Sequence, residues 1–207
     1  MAGEVIHLDE SLFLGAGKHK KCWRHPSDAK VCVKLAYNEE GEKKDLPREL
    51  RYRRLLESRR GDYSVLPAYY GTAETDQGTG YLFEMIEDYD GATCRNLRDY
   101  FKDEERFERD YPVLVRELLV LKKAFFENEI ITMNLSGENI FFQRTAPDAP
   151  VRVRFIGDLG SPVALPLEYY CRPLARAKVK RHWENFLKYL TERCSFGVAK
   201  RLAEAIK

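Results

Sequence analysis

Between Ile130 and Gly160 the chain alternates apolar runs with short polar segments, and this stretch limits what it can fold into more than any other. Ile130-Ile131-Thr132-Met133 leads into Asn134-Leu135-Ser136-Gly137-Glu138-Asn139 and back into Ile140-Phe141-Phe142. After the turn Ala146-Pro147-Asp148-Ala149-Pro150, a second apolar run from Val151 to Ile156 delivers Asp158-Leu159-Gly160. Short apolar runs bounded by turn residues read as strands, so a hairpin is expected here with Asn134, Asn139 and Asp158 on its flanking loops. Amide and carboxylate oxygens are the donors that hard cations take. Asp and Gly also populate plain strand-ending turns, so the meaning of Asp158 depends on what accompanies it.

Three earlier features accompany it. Gly15 and Gly17 separate two apolar runs and are followed by Lys18-His19-Lys20-Lys21. A glycine pair of this kind lets backbone N–H groups approach a phosphate, with Lys18 adding charge, although two glycines also make an ordinary hairpin turn. Val31-Cys32-Val33-Lys34-Leu35 reads as a strand interrupted by a lysine, 17 positions after Gly17. Asp45-Leu46-Pro47 then marks a helix start. Leu46, Glu49, Tyr52, Arg53 and Leu56 share one stripe of that helix, which places an acid on an apolar face where it needs a partner. Glu49 either complements the helix N-terminus or pairs with Lys34, and the two are compatible.

Further on, Gly78-Thr79-Gly80 is expected to turn a hairpin, Tyr81 to Ile86 forms its returning strand, and 87–91 is a connector. A short charged helix is expected over 96–107, and a longer one from Tyr111-Pro112 carries Leu114, Leu118, Leu121 and Phe125 on one face. A last helix begins near Pro173 with Trp183, Phe186, Leu187 and Leu190 as its core stripe. Arg48, Arg51, Arg54, Arg59 and Arg60 on one helix, and Arg172, Arg176, Lys178, Lys180 and Arg181 on another, are read as solvated faces that could also meet phosphates.

A net charge of +2 gives no electrostatic footprint for nucleic acid. Cys22, Cys32, Cys94, Cys171 and Cys194 are odd in number and include no C-x-x-C pair, which suits a reduced compartment. The four histidines lack zinc-ligand spacing. No apolar run approaches a membrane-spanning length and no apolar leader is evident, so the expected location is the cytoplasm.

Taken in order, these features resemble a protein kinase. Gly15 and Gly17 match the glycine loop, with Lys20 at its third glycine; Lys34 matches the lysine of V-A-I-K and Glu49 its helix partner; Thr132 to Asn139 matches the catalytic loop and Asp158-Leu159-Gly160 the D-F-G segment. The resemblance implies an α+β, compact bilobal protein-kinase-like fold. Its N-lobe, an antiparallel sheet plus an αC-like helix, would occupy 1–87, and a reduced helical C-lobe 88–207. It also implies ATP and Mg²⁺ as ligands: Gly15, Gly17, Lys18, Lys34 and Glu49 toward phosphates, Glu84 and Ile86 in the hinge toward adenine, and Asn139 and Asp158 toward the metal. Asn134, Asp158 and Lys34 are the implied catalytic positions, with Asn134 where the pattern has its catalytic aspartate. A carboxamide accepts no proton, Ser136 stands where a lysine is common, and A-P-E is missing from the 47 residues after Gly160.

The whole chain is similar to the YrbL, or PhoP regulatory network, family of bacterial kinase-like proteins. Leu14 to Cys22, Arg48 to Tyr52, Gly71 to Tyr81 and Ile131 to Leu135 carry that similarity. Three functions follow as expectations. The first is an ATP-binding atypical kinase or pseudokinase with a regulatory role, acting on a protein or small-molecule acceptor. The second is a nucleotidyl (AMP) transferase on the same scaffold, and the third a non-catalytic interaction module using the basic faces.

Overall fold

The computed structural model describes residues 5–163 and 165–207. The chain divides into two compact units, the first made of Met1–Leu50 and Pro67–Ile86 and the second of Arg51–Leu66 and Glu87–Lys207.

The first unit is a five-stranded antiparallel sheet in the order β1-β2-β3-β5-β4. Its strands are β1 (Phe13–Ala16), β2 (Lys20–Arg24), β3 (Val31–Ala36), β4 (Tyr69–Thr75) and β5 (Gly78–Glu84). Alternation along β2 and β3 assigns the faces. Trp23 lies opposite Val33, and both join Leu8 and Leu35 in a buried cluster on one face. Cys22 opposite Lys34 therefore belongs to the other face, together with Lys20 opposite Ala36.

The β4–β5 turn falls two residues earlier than expected. Thr75 Oγ1 receives the Gln77 N–H at 3.1 Å and donates to the Gly78 carbonyl at 2.6 Å, closing the chain over Asp76-Gln77. Gly78 and Gly80 are thus strand residues. Gly80 is needed for space: a Cβ there would lie 2.6 Å from Val33 Cγ1.

Helix α1 (Leu46–Arg59) follows a wide helical turn at Gly41–Asp45. Leu46, Glu49, Tyr52, Arg53 and Leu56 are all buried, so the stripe read from spacing is its inner face.

The second unit pairs a small antiparallel sheet, β6 (Arg95–Asn96), β7 (Ile140–Gln143) and β8 (Arg152–Phe155), with four helices: α2 (Leu97–Lys102), α3 (Glu104–Glu127), α4 (Arg172–Lys188) and α5 (Gly197–Ala205). Asn96 and Asp99 form a reciprocal capping box at the start of α2. Asp103 accepts the Arg106 N–H and starts α3 eight residues before Tyr111. The expected break at Tyr111-Pro112 is therefore absent, and Pro112 lies inside one 24-residue helix. Proline there removes one helical hydrogen bond. Burial of Phe107 on one side of it and of Leu114, Leu118, Leu121 and Phe125 on the other holds the helix together. Among the described residues, no helix is long and apolar enough to cross a membrane.

Candidate functional site

In the first unit the glycine loop is tied down by its own chain. The Gly17 N–H donates to the Lys20 carbonyl at 2.8 Å. The Tyr37 hydroxyl lies 2.9 Å from the Gly17 carbonyl and 2.5 Å from that of Lys18, and Asn38 Nδ2 donates to the latter at 3.2 Å. Gly15 has a φ of +156° inside β1, and the Lys18 side chain is exposed. The Gly17 amide is thus spent within the hairpin, which leaves the Lys18 ammonium as the loop's outward cation.

Lys34 lies on the β3 face that also carries Cys22 and Cys32, and its ammonium sits 4.5 Å from the centroid of the Phe83 ring. The pair expected between Lys34 and Glu49 is made instead by Lys20, whose Nζ lies 3.0 Å from Glu49 Oε2. Both side chains are buried. The strand register explains the exchange, since Lys20 and Lys34 share a face of the sheet, and the Phe83 ring takes the ammonium of Lys34. A hydrogen bond from the Cys22 thiol, with Lys34 nearby, draws the Cys32 thiol down to about 7, and the same bond and burial push Cys22 up.

At the end of β5, Glu84 Oε2 accepts the Ala68 N–H at 3.0 Å and the Glu84 carbonyl receives the Cys32 thiol at 3.8 Å. The Met85 N–H donates to the Lys30 carbonyl at 2.8 Å, and Ile86 is half-buried.

In the second unit, the two polar loops are stitched to each other. The Met133 N–H donates to the Asp158 carbonyl at 2.9 Å, and the Gly160 N–H to that of Ile131 at 2.8 Å. The Thr132 hydroxyl reaches the Asp158 carbonyl at 2.9 Å, and Thr132 and Leu159 form an antiparallel bridge. Buried Tyr52 anchors the approach, donating to the Glu129 carbonyl and accepting the Ile131 N–H, each at 2.8 Å. Glu129 has a φ of +53°, and its buried carboxylate meets Arg172 Nε at 2.8 Å and Arg176 Nε at 3.2 Å. These two arginines remain largely exposed, as the solvated-face reading has them, and also brace the turn before the loop that starts at Thr132.

Asn139 packs against the two residues that precede Asp158. The Ile156 N–H donates to the Asn139 carbonyl at 3.0 Å, and a Cβ on Gly157 would lie 2.9 Å from Asn139 Nδ2. Only a glycine leaves that carboxamide its place beside the Asp158 loop. Carboxamide and carboxylate oxygens are the hard donors that magnesium takes. Asn134 is exposed. Among the described residues, no group of three or more His, Cys, Asp or Glu side chains could hold a metal, so any ion here would keep several ligands from solvent or phosphate.

Spacing alone did not single out the Lys20 pair, the Tyr52 anchor or the Gly157 contact. A lysine in place of the third loop glycine signalled the first, and Tyr52 three positions beyond Glu49 on the buried stripe signalled the second. Gly157 carries no signal apart from preceding Asp158.

The family described as PhoP regulatory network protein YrbL matches residues 6–191. A protein named YrbL in Escherichia coli K12 is 36% identical over 184 residues, covering 88% of this chain and 87% of that protein, and a YrbL of Shigella flexneri matches to the same extent. A probable serine/threonine-protein kinase of Dictyostelium discoideum is 33% identical over 138 residues, which cover 63% of this chain and 10% of that protein. Among solved structures, the chain resembles one in the CAK complex of Chaetomium thermophilum bound to ATP-γ-S, with a TM-score of 0.51 and 19% identity over 74% of this chain and 47% of that one. The fold is accordingly α+β and protein-kinase-like.

Proposed function

The chain belongs to the PhoP regulatory network protein YrbL family, and on that premise we propose that it binds Mg-ATP and works as an atypical kinase with a regulatory role. The observation that carries this reading is the seating of the Asn139 carboxamide against Gly157, beside Asp158. Those two side chains would hold the metal, and Lys34 and Lys18 would supply positive charge for phosphates. Bound magnesium would neutralise charge developing on the transferred group. Asn134 would orient a hydroxyl by hydrogen bonding without taking its proton. Phosphoryl transfer depends chiefly on positioning and charge, so the exchange of aspartate for asparagine lowers the rate without removing the basis for transfer. The kinase-like fold and the ATP-γ-S named for the CAK complex support the same ligand class.

Calorimetric titration of Mg-ATP into the wild type and Asp158→Ala, with ATP turnover followed in the same samples, tests this reading. Binding by the wild type that weakens at least about tenfold in the variant is expected. Equal heats in both proteins sink it. Label passing to product from α- and not γ-labelled ATP would make the chain a nucleotidyl transferase instead.

A further inference from the structure

A cavity of about 400 Å³ opens in the second unit, lined on one side by Asn134 and Ser136 and on the other by His182 of α4 and Arg193 of the segment that follows it. Ligand pockets of small molecules start at about this size. Phe101 and Phe196, ring centroids 6.0 Å apart, contribute an apolar wall. Charge on the lining is unevenly spent. Arg98 and Glu138 pair with each other, whereas the exposed Arg193 guanidinium makes no ion pair or side-chain hydrogen bond among the described residues. The cavity thus presents a loose cation, an apolar wall, and a carboxamide and an imidazole within one enclosure.

The imidazole has the property that the carboxamide lacks. Burial, followed by the positive charges of Lys178 and Arg181, lowers His182 from the ordinary imidazole value, which favours the neutral ring, the form with a nitrogen that can accept a proton. The other charged groups of the cavity are Arg98 from α2, Glu138 from the turn before β7 and Arg193. Lys178 itself is engaged by Glu168 at 2.5 Å.

We propose that this cavity is the acceptor site, that it takes a small organic anion bearing a hydroxyl and an apolar body, and that His182 accepts the hydroxyl proton that Asn134 cannot. Arg193 receives the anionic group, the phenylalanine wall the apolar body, and Asn134 the hydroxyl oxygen. The proposal rests on the Mg-ATP reading. In the step itself the acceptor O–H bond breaks and its proton goes to the imidazole, while the oxygen bonds to the γ-phosphorus of ATP. The bond from that phosphorus to the β–γ bridging oxygen breaks, and its electron pair leaves on ADP. One phosphate ester and one ADP form per ATP, and the imidazolium returns its proton to water.

The probe is 4-(hydroxymethyl)benzoate, with 4-methylbenzoate lacking the hydroxyl and benzyl alcohol lacking the anion. Titrated into the full chain under NMR, the probe is expected to shift the His182 ring resonances and to bind about tenfold tighter than either control, with Arg193→Ala removing the advantage over benzyl alcohol. With Mg-ATP present, His182→Asn is expected to keep probe binding within about threefold and to lower ADP and ester formation about 100-fold or more. Asn134→Asp in the same chain is expected to restore turnover. His182→Gln serves if His182→Asn melts early. Unmoved ring resonances at saturating probe overturn the site; bound probe without ADP formation, or wild-type turnover in His182→Asn, overturns the proton acceptor. Calorimetry of Mg-ATP on the same preparation keeps the two readings apart. Nucleotide binding with no probe binding rejects the cavity alone, and the reverse rejects the nucleotide site and with it the proton role of His182.

Discussion

Lys20 Nζ lies 3.0 Å from Glu49 Oε2, so the acid on the inner stripe of α1 is held by the lysine that replaces the third glycine of the loop. Hydrogen bonds to charged groups contribute about 1.5–3 kcal/mol when buried. Lys20→Met is therefore expected to lower unfolding free energy by about that amount in urea titrations, and Lys34→Met, whose ammonium rests on a ring, by distinctly less. Equal losses would mean that Lys20 has no special hold on Glu49.

Tyr52→Phe is expected to destabilise the chain by about 1–3 kcal/mol. The hydroxyl is buried and serves both the Glu129 carbonyl and the Ile131 N–H, and its removal leaves buried backbone groups without that partner. Denaturant midpoints of the two proteins check this, and a loss below about 0.5 kcal/mol would show that the backbone groups find substitutes.

Gly157→Ala pushes a methyl against Asn139 Nδ2 and the Phe155 ring, at 2.9 and 2.5 Å before any relaxation. Displacing a metal ligand through its neighbour typically costs about 10–100-fold in affinity. Calorimetry with Mg-ATP is expected to report a loss in that range from a chain that still melts cooperatively; an unchanged affinity removes Asn139 from the metal site.

The stability of the second unit is expected to fall in acid through Glu168. Burial would raise its carboxyl, but hydrogen bonds from Lys178 and Ser161 overcome that and bring it down to about 2. A carboxylate depressed in the folded state contributes stability that is complete above its unfolded value near 4.3 and is lost as pH falls toward the folded one. Lys178→Met should then differ from the wild type most at pH 5 to 7, and the gap should narrow between about pH 4 and 2. A gap that stays constant across that window contradicts the assignment.

Much of this was legible in residue order because periodicity and turn chemistry are local. The α1 stripe from Leu46 to Leu56, the β7–β8 hairpin and the start of α4 beside Pro173 followed from spacing alone. What was not legible depended on long-range burial. Pro112 suggested a helix start, yet the stripe from Phe107 to Phe125 carried α3 through it. Gly78 and Gly80 suggested a turn, yet both lie in β5, where Val33 from the neighbouring strand leaves room only for a glycine at 80. Lys34 suggested a partner for Glu49, yet Lys20 makes that contact from the neighbouring strand. In the site, Asn139 and Asp158 drew notice through the kinase resemblance, while Gly157 and His182 acquire meaning only when the chain is folded.

The paired loops have a consequence for how the molecule moves in time. Met133 and Gly160 donate their amide hydrogens across the Thr132–Leu159 bridge in opposite directions, so neither loop can open while the other stays closed. Their hydrogens should exchange with solvent deuterium at one shared rate, as members of a single opening unit. The residues assigned to orient a hydroxyl and those assigned to hold a metal would then be ordered, and released, by the same fluctuation.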